Sequence, residues 1–253
     1  MAQTVSLSFF RFGPLSARLW ALGMMGAARL SLPKIPDIGF WKLCGSGIGE
    51  GFTPVPNTAV YAILATWPDE ATARDRIATH PLFHRYRRRA FEHWTVFLST
   101  QSVRGQWSGQ TPFKPAGLPP DRPRPGSMPD KPTDPAPEPG KGPVAALTRA
   151  TIKPRILTRF WGRVPDISAM IGADPNVAFK IGIGEVPWLH QVTFSIWPDT
   201  ATMAAFARTG PHAAAIRAVR DEGWFREELY ARFAILSDTG TWNGSSPLER
   251  LRS

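Results

Sequence analysis

Cysteine is nearly absent from this chain: 253 residues hold one, Cys44. No internal disulfide can form, which suits a reducing compartment. Long apolar runs are missing too. The stretch Leu19 to Ala28 spans ten residues between Arg18 and Arg29, about half of what a spanning helix needs. It reads as an amphipathic helix that packs on a sheet or lies on a membrane surface. No secretory signal is evident, so a cytoplasmic protein is expected. The patterns G-x-S-x-G, H-E-x-x-H and C-x-x-C are all absent, which leaves a hydrolase or a structural zinc site with little support. Acidic residues are scarce: 20 Asp and Glu face 30 Lys and Arg, a net charge of +10. That balance points to acidic partners such as anionic lipid or an acidic protein. Nucleic acid is the weaker option. There is no zinc-finger spacing or RNA-recognition signature, and the densest basic run, Arg85 to Arg89, reads as a solvated helix face.

What is present is an internal repeat. Gly47-Ile48-Gly49-Glu50 recurs as Gly182-Ile183-Gly184-Glu185, Trp67-Pro68-Asp69 as Trp197-Pro198-Asp199, and Trp107-Ser108-Gly109 as Trp242-Asn243-Gly244. Three matches in order indicate a duplicated module of about 100 residues, too long for a solenoid unit. Between the copies, residues 112 to 143 hold twelve prolines. Helix and strand interiors exclude proline, so this stretch is expected to be a linker outside the core.

Each half reads alike. In the first, Thr4 to Phe12, Trp41 to Ser46, Ala59 to Trp67 and Thr95 to Val103 have strand character. Arg18 to Leu32, Ala71 to Ala78 and Leu82 to His93 read as helices, with Asp69 a good N-cap and a break at His80-Pro81. In the second, the strands are Leu147 to Thr158, Val177 to Ile183, His190 to Trp197 and Ala231 to Asp238. The helices are Arg159 to Ile171, Asp199 to Thr209 and Ala213 to Glu222. The expected fold is α+β: two tandem ferredoxin-like β-α-β-β-α-β repeats forming a pseudo-dimeric α/β barrel. The expected divisions are 1–110, a linker over 111–146, and 147–253.

Candidate chemistry is sparse. The stretch Gly45 to Gly51 fails the G-x-G-x-x-G spacing, because Glu50, Phe52 and Pro54 stand where the third glycine is needed; it reads as a turn or tight strand bend. His80 and His84 share a helix face, but Pro81 lies between them and no third ligand matches. His93 ends the same helical stretch, where a cation favours the dipole. Cys44 reads as a buried small hydrophobe, a thiolate ligand being the alternative. His190 aligns with Val60 and His212 with Leu82, so both stand where the first half is apolar. His212 precedes Ala213-Ala214-Ala215, small residues that admit a flat macrocycle. Neutral imidazole is a common axial ligand of haem iron, and Arg217 and Arg220 are placed to meet propionates. A helix-start cap is the alternative for His212, and a barrel-rim residue for His190. Ten Trp and 15 Phe fit a dense core, a pocket for a large flat or long apolar ligand, or both.

Longer strings carry a resemblance. They are Gly39-Phe40-Trp41-Lys42-Leu43, Phe52 to Val60, Phe179 to Pro187, His190 to Phe194 and Gly223 to Phe233. With these the chain resembles the spheroidene monooxygenases, a carotenoid 2-ketolase family of purple photosynthetic bacteria. The likeness covers both halves but not the proline-rich stretch. It implies an oxygen-dependent enzyme that oxidises a methylene next to the methoxy end of an acyclic carotenoid to a ketone, with haem iron as cofactor and reduced ferredoxin as electron donor. It also implies an aromatic-rich substrate tunnel and a place peripheral to the intracytoplasmic photosynthetic membrane. It supplies no axial-ligand motif, so His212, with His190 as second choice, rests on the residues alone. The rival readings are a non-catalytic carrier or stress-response binding module on the same barrel, and a cofactor-free oxygenase.

Overall fold

The computed structural model describes residues 2–49, 51–116, 142–162, 176–208 and 222–251. Eight strands form one closed barrel: β1 (Thr4–Arg11), β2 (Trp41–Gly47), β3 (Pro56–Trp67), β4 (Glu92–Gly105), β5 (Val144–Ile152), β6 (Phe179–Gly184), β7 (His190–Trp197) and β8 (Phe225–Gly240). Around the barrel the order is β1-β3-β2-β6-β7-β5-β8-β4. Every pairing is antiparallel. The fold is therefore mixed α/β with a closed antiparallel barrel. Its first four strands lie in the order β4-β1-β3-β2 and its last four in the order β8-β5-β7-β6.

Alternation decides what points inward. Val5, Leu7 and Phe9 of β1, Val192, Phe194 and Ile196 of β7, and Leu229, Ala231 and Phe233 of β8 all join one buried core. Phe9 sits at its centre, with ring centroids 5.6 Å from Trp94, 5.6 Å from Phe179 and 5.9 Å from Trp242. Eight strands leave an interior just wide enough for side chains, and here these rings fill it. The tunnel expected from the resemblance does not run through the barrel.

Four helices have both bounds among the described residues, α1 (Leu15–Ser31), α2 (Glu70–Thr79), α3 (Pro81–Arg89) and α4 (Thr200–Arg208), and residues 157–162 are helical as well. Helix α1 buries Ala17, Ala21, Met24 and Ala28, spaced by four, three and four residues along one face. Both Trp-Pro-Asp strings start a helix in the same way. Asp69 accepts from Thr72 N at 2.8 Å, and Asp199 accepts from Thr202 N at 2.7 Å. His80 caps α3 by accepting from Leu82 N, a structural role.

The structure corrects four expectations. His93 lies in β4 opposite Phe10, not at a helix end; the chain leaves α3 at Ala90, whose ψ of 138° is extended. Strand β5 stops at Ile152 rather than Thr158, because Pro154 lacks the N–H a ladder needs. It also begins at Val144, inside the expected linker. Phe113, read as linker, is 1% exposed and packs against Trp107 and Phe233 in the core. Residues 117–141, the rest of the proline-rich stretch, lie outside the described residues, as do most of the expected helix from Arg159 and the whole of that from Ala213.

Candidate functional site

The strand registers bring inward-facing charges together at each barrel end. Trp94 pairs with Gly240 and Gly105 with Leu229 across β4 and β8, so the turn at Trp242 closes one end and the turn at Trp107 the other. Each turn has two residues with positive φ: Ser108 and Gly109 at 54° and 71°, Asn243 and Gly244 at 60° and 88°. This conformation frees backbone N–H groups for a carboxylate. At the first end Glu92 accepts from Gly244 N at 2.8 Å and pairs with Arg11 at 2.8 Å. The Arg11 guanidinium lies 4.0 Å over the Trp242 ring.

The second end is more elaborate. Glu227 accepts from Ser108 N at 2.9 Å and Gly109 N at 2.7 Å and pairs with Arg149. Glu185 lies deeper, its side chain 9% exposed, against Lys42 at 2.9 Å, Trp107 Nε1 at 2.8 Å and Arg149 at 3.6 Å. Burial by itself would raise the Glu185 carboxyl. The donors His190, Lys42 and Trp107 outweigh it and hold the group at about 2. At neutral pH Glu185 is thus a fixed negative charge and not a proton donor. Cys44 lies in this core, and its thiol is pushed far up, by burial first and by Glu185 second. Such a thiol is a small hydrophobe rather than a thiolate ligand. Sequence reasoning missed Lys42, Arg149, Glu185 and Glu227. The available signal was a charge at an inward position, as in the alternation Ala145, Leu147, Arg149.

His190 opens β7 on the inward side, with Nδ1 3.4 Å from Glu185 Oε2. At this length the contact is weak and poorly aligned, so the closer Lys42 and Trp107 hold the carboxylate down more firmly than His190 does. His190 also lines a cavity of about 280 Å³ at the β2–β6 seam, with Leu22, Met25, Tyr61, Trp161 and Trp188 among its walls. A larger cavity of about 410 Å³ lies on the other side of Ser46 and Gly47, at the Arg11 end. Both adjoin the thinnest joint of the barrel, where β2 and β6 pair through two residue pairs only.

The outer sheet faces of the two halves differ. In the first, Leu43, Ile63 and Ser8 form one row across β2, β3 and β1, beside Tyr61 and Phe10. All five are at most 5% exposed, in or beside the core under α1 to α3. The matching row of the second half is Gly182, Thr193 and Thr148, beside Gln191 and Ala150. Ile63 and Phe10 have given way to the smaller Thr193 and Ala150, while Ser8 has become the larger Thr148, which is exposed. Strand spacing and rise make this patch roughly 10 by 7 Å. Gln191 Nε2, on the same face, is buried without a hydrogen-bond partner among the described residues. Gly182 is buried, its free side closed by the Gly51 carbonyl, and Thr193 is half-buried, so the row is exposed at its Thr148 end. His190 stands on the opposite face of β7. His212, Arg217 and Arg220 lie outside the described residues.

The molecule so defined is an α/β-barrel protein with charged side chains gathered at both barrel ends and two cavities at the β2–β6 seam. No family model matches the chain. It is 49% identical over 97% of its length to the spheroidene monooxygenase of Cereibacter sphaeroides, covering 71% of that protein. It is 50% identical to that of Rhodobacter capsulatus, covering 96% of this chain and 94% of the relative. With that of Rubrivivax gelatinosus the identity is 36%, over 90% of this chain and 81% of the relative. The chain belongs to the spheroidene monooxygenase family and is an oxidoreductase of the monooxygenase type. An aldoxime dehydratase crystallised with butyraldoxime shares the fold at a TM-score of 0.59 and 11% identity, over 99% of this chain and 86% of that one.

Proposed function

We propose that this protein oxidises an acyclic, spheroidene-type carotenoid to its 2-keto product, using O2, bound haem and electrons from reduced ferredoxin. Identity near 50% over almost the whole chain carries the substrate class. Oxidation of an unactivated C–H bond lies beyond amino-acid side chains, and haem supplies that oxygen chemistry when bound. The chain is read as two ferredoxin-like repeats, 1–110 and 147–253, joined by a proline-rich linker, with the haem on the second. Supporting this are the equal strand orders of the two halves and the smaller Ala150 and Thr193 on the second outer face, where the first has Phe10 and Ile63. His212 is the proposed axial ligand, with Arg217 and Arg220 on the propionates and His190 as second choice. The fixed charges of Glu185, Lys42 and Arg149 hold the neighbouring barrel end rigid, so that outer face keeps its shape without a ligand. The protein is placed in the cytoplasm, peripheral to the photosynthetic membrane. No helix among the described residues is long and apolar enough to cross a membrane.

The test is a haem titration of the wild type, His212→Ala and His190→Ala. The expected result is a Soret band in the wild type that His212→Ala loses and His190→Ala keeps. The reverse pattern moves the ligand to the strand histidine. Carotenoid turnover by wild type without a Soret band would instead establish a cofactor-free oxygenase.

A further inference from the structure

Eight of the eleven exposed large hydrophobics among the described residues belong to α1 and two neighbouring loops: Leu15, Leu19, Leu22, Leu30, Ile48, Val55, Val186 and Trp188. The four leucines are 53–74% exposed. At about 100° per residue they centre on the helix side opposite the buried Ala17, Ala21, Met24 and Ala28. Helix α1 therefore has two apolar faces, and the barrel covers one. Arg18 and Arg29 flank the outer face, and α1 contains no acidic residue. The loops are tied to the same surface. Trp188 Nε1 donates to Pro54 O at 2.7 Å, and Trp161 Nε1 donates to Trp188 O at 3.1 Å. Trp188 holds φ at +64°, a conformation that is strained for a bulky residue. Leu22 and Arg29 from α1 and Val186 and Trp188 from the β6–β7 loop line one cavity, that of about 280 Å³ beside His190.

We propose that the outer face of α1 and the Trp188 loop dock on an anionic lipid bilayer, and that the cavity between them is the mouth through which an apolar substrate leaves the membrane. An in-plane helix with a leucine face and arginine flanks is the form that binds at the acyl–headgroup boundary. Tryptophan belongs at that depth, with an apolar body and a hydrogen-bonded N–H. Each flanking cation adds attraction to anionic headgroups, about fivefold in partition. The role of the mouth rests on the carotenoid reading above; the docking face does not.

The experiment is flotation with vesicles of phosphatidylcholine, with and without phosphatidylglycerol. Wild type should float with the anionic vesicles and lose binding as salt rises. Leu15→Glu combined with Leu19→Glu should lower partition at least about tenfold, and Trp188→Glu should lower it independently. Leu236→Glu, an exposed site on β8 across the barrel from the seam, should leave it unchanged. Each variant is checked for wild-type circular dichroism and melting. Failure of wild type to float, or equal loss from Leu236→Glu, overturns the docking face. Carotenoid turnover is then compared from vesicles and from detergent micelles. The double variant should lose turnover only from vesicles; loss from both overturns the mouth. Normal flotation with no turnover from either source leaves the docking face standing and sinks the carotenoid reading.

Discussion

Replacing Glu185 by Gln isolates the most heavily invested ion of the barrel. Its side chain is 9% exposed and meets Lys42 at 2.9 Å, so little solvent screens the pair. The carboxyl is depressed from 4.5 to about 2, which corresponds to about 3 kcal/mol at neutral pH. A folded-state value below the unfolded one stabilises above pH 4.5 and fades as pH falls toward 2. By pH 3 about 1.5 kcal/mol of it should remain. The uncharged amide would also leave Lys42 with only Ser108 and the ring faces of Phe40 and Trp107 as partners among the described residues. For a chain of this size 3 kcal/mol corresponds to a drop in Tm of roughly 6–12 °C. Denaturant titrations of both proteins at pH 7 and pH 3 measure the gap directly. A gap that is below about 1 kcal/mol at pH 7, or that fails to narrow at pH 3, would refute the claim that Glu185 is held ionised by its donors.

Three further outcomes follow from the same geometry. Cys44 should resist thiol reagents in the folded protein at pH 8 and react fully in denaturant, since burial and Glu185 hold its thiol protonated; rapid labelling of native protein would contradict this. Asp69→Ala and Asp199→Ala should each cost about 1 kcal/mol in chemical unfolding by removing a helix cap; an unchanged midpoint would show that the cap bonds contribute nothing. On the proposed haem site, Ala150→Phe, which restores the first-half residue Phe10 to the outer face of β5, should abolish haem uptake while leaving the melting temperature within a few degrees; normal uptake would move the cofactor elsewhere.

Much of the barrel was legible because its strands obey a short-range rule. His190 to Trp197 was read as a strand as the second-half copy of Ala59 to Trp67, and those are the bounds of β7. The paired Trp-Pro-Asp strings marked two helix starts, because an N-cap needs only its own side chain and the N–H three residues on. The misreadings arose where the deciding partner is distant in sequence. Leu82 to His93 has helical composition throughout, but Glu92 and His93 pair with Arg11 and Phe10 of β1. Phe113 sits among prolines, and only the aromatic surface of Trp107 and Phe233 makes it core. The charged barrel end was invisible for the same reason. Lys42, Arg149, Glu185 and Glu227 span 186 positions of the numbering as inclusive residues 42–227, and each alone reads as a solvated strand-end charge. The family resemblance was legible because long strings of the two strand hairpins carry it.

The contrast between the outer faces gives the function a physical direction. Burying a Phe, Ile or Leu side chain contributes roughly 1.5–3 kcal/mol. Phe10 and Ile63 supply that in the first half, where Ala150 and Thr193 stand in the second. The forgone burial approaches the lower end of the net stability of an ordinary domain. The shared barrel core makes this tolerable, because Phe9, Trp94, Phe179 and Phe194 pack across both halves as one cluster. A bound macrocycle would return apolar contact to the same face and stabilise the folded state in proportion to its occupancy. On the function proposed above, the first half would serve as the rigid wall, with α1 between barrel and lipid, and the second as the seat of the chemistry. Such a division explains why large residues are kept on one face and small ones on its counterpart while the strand order of the two stays the same.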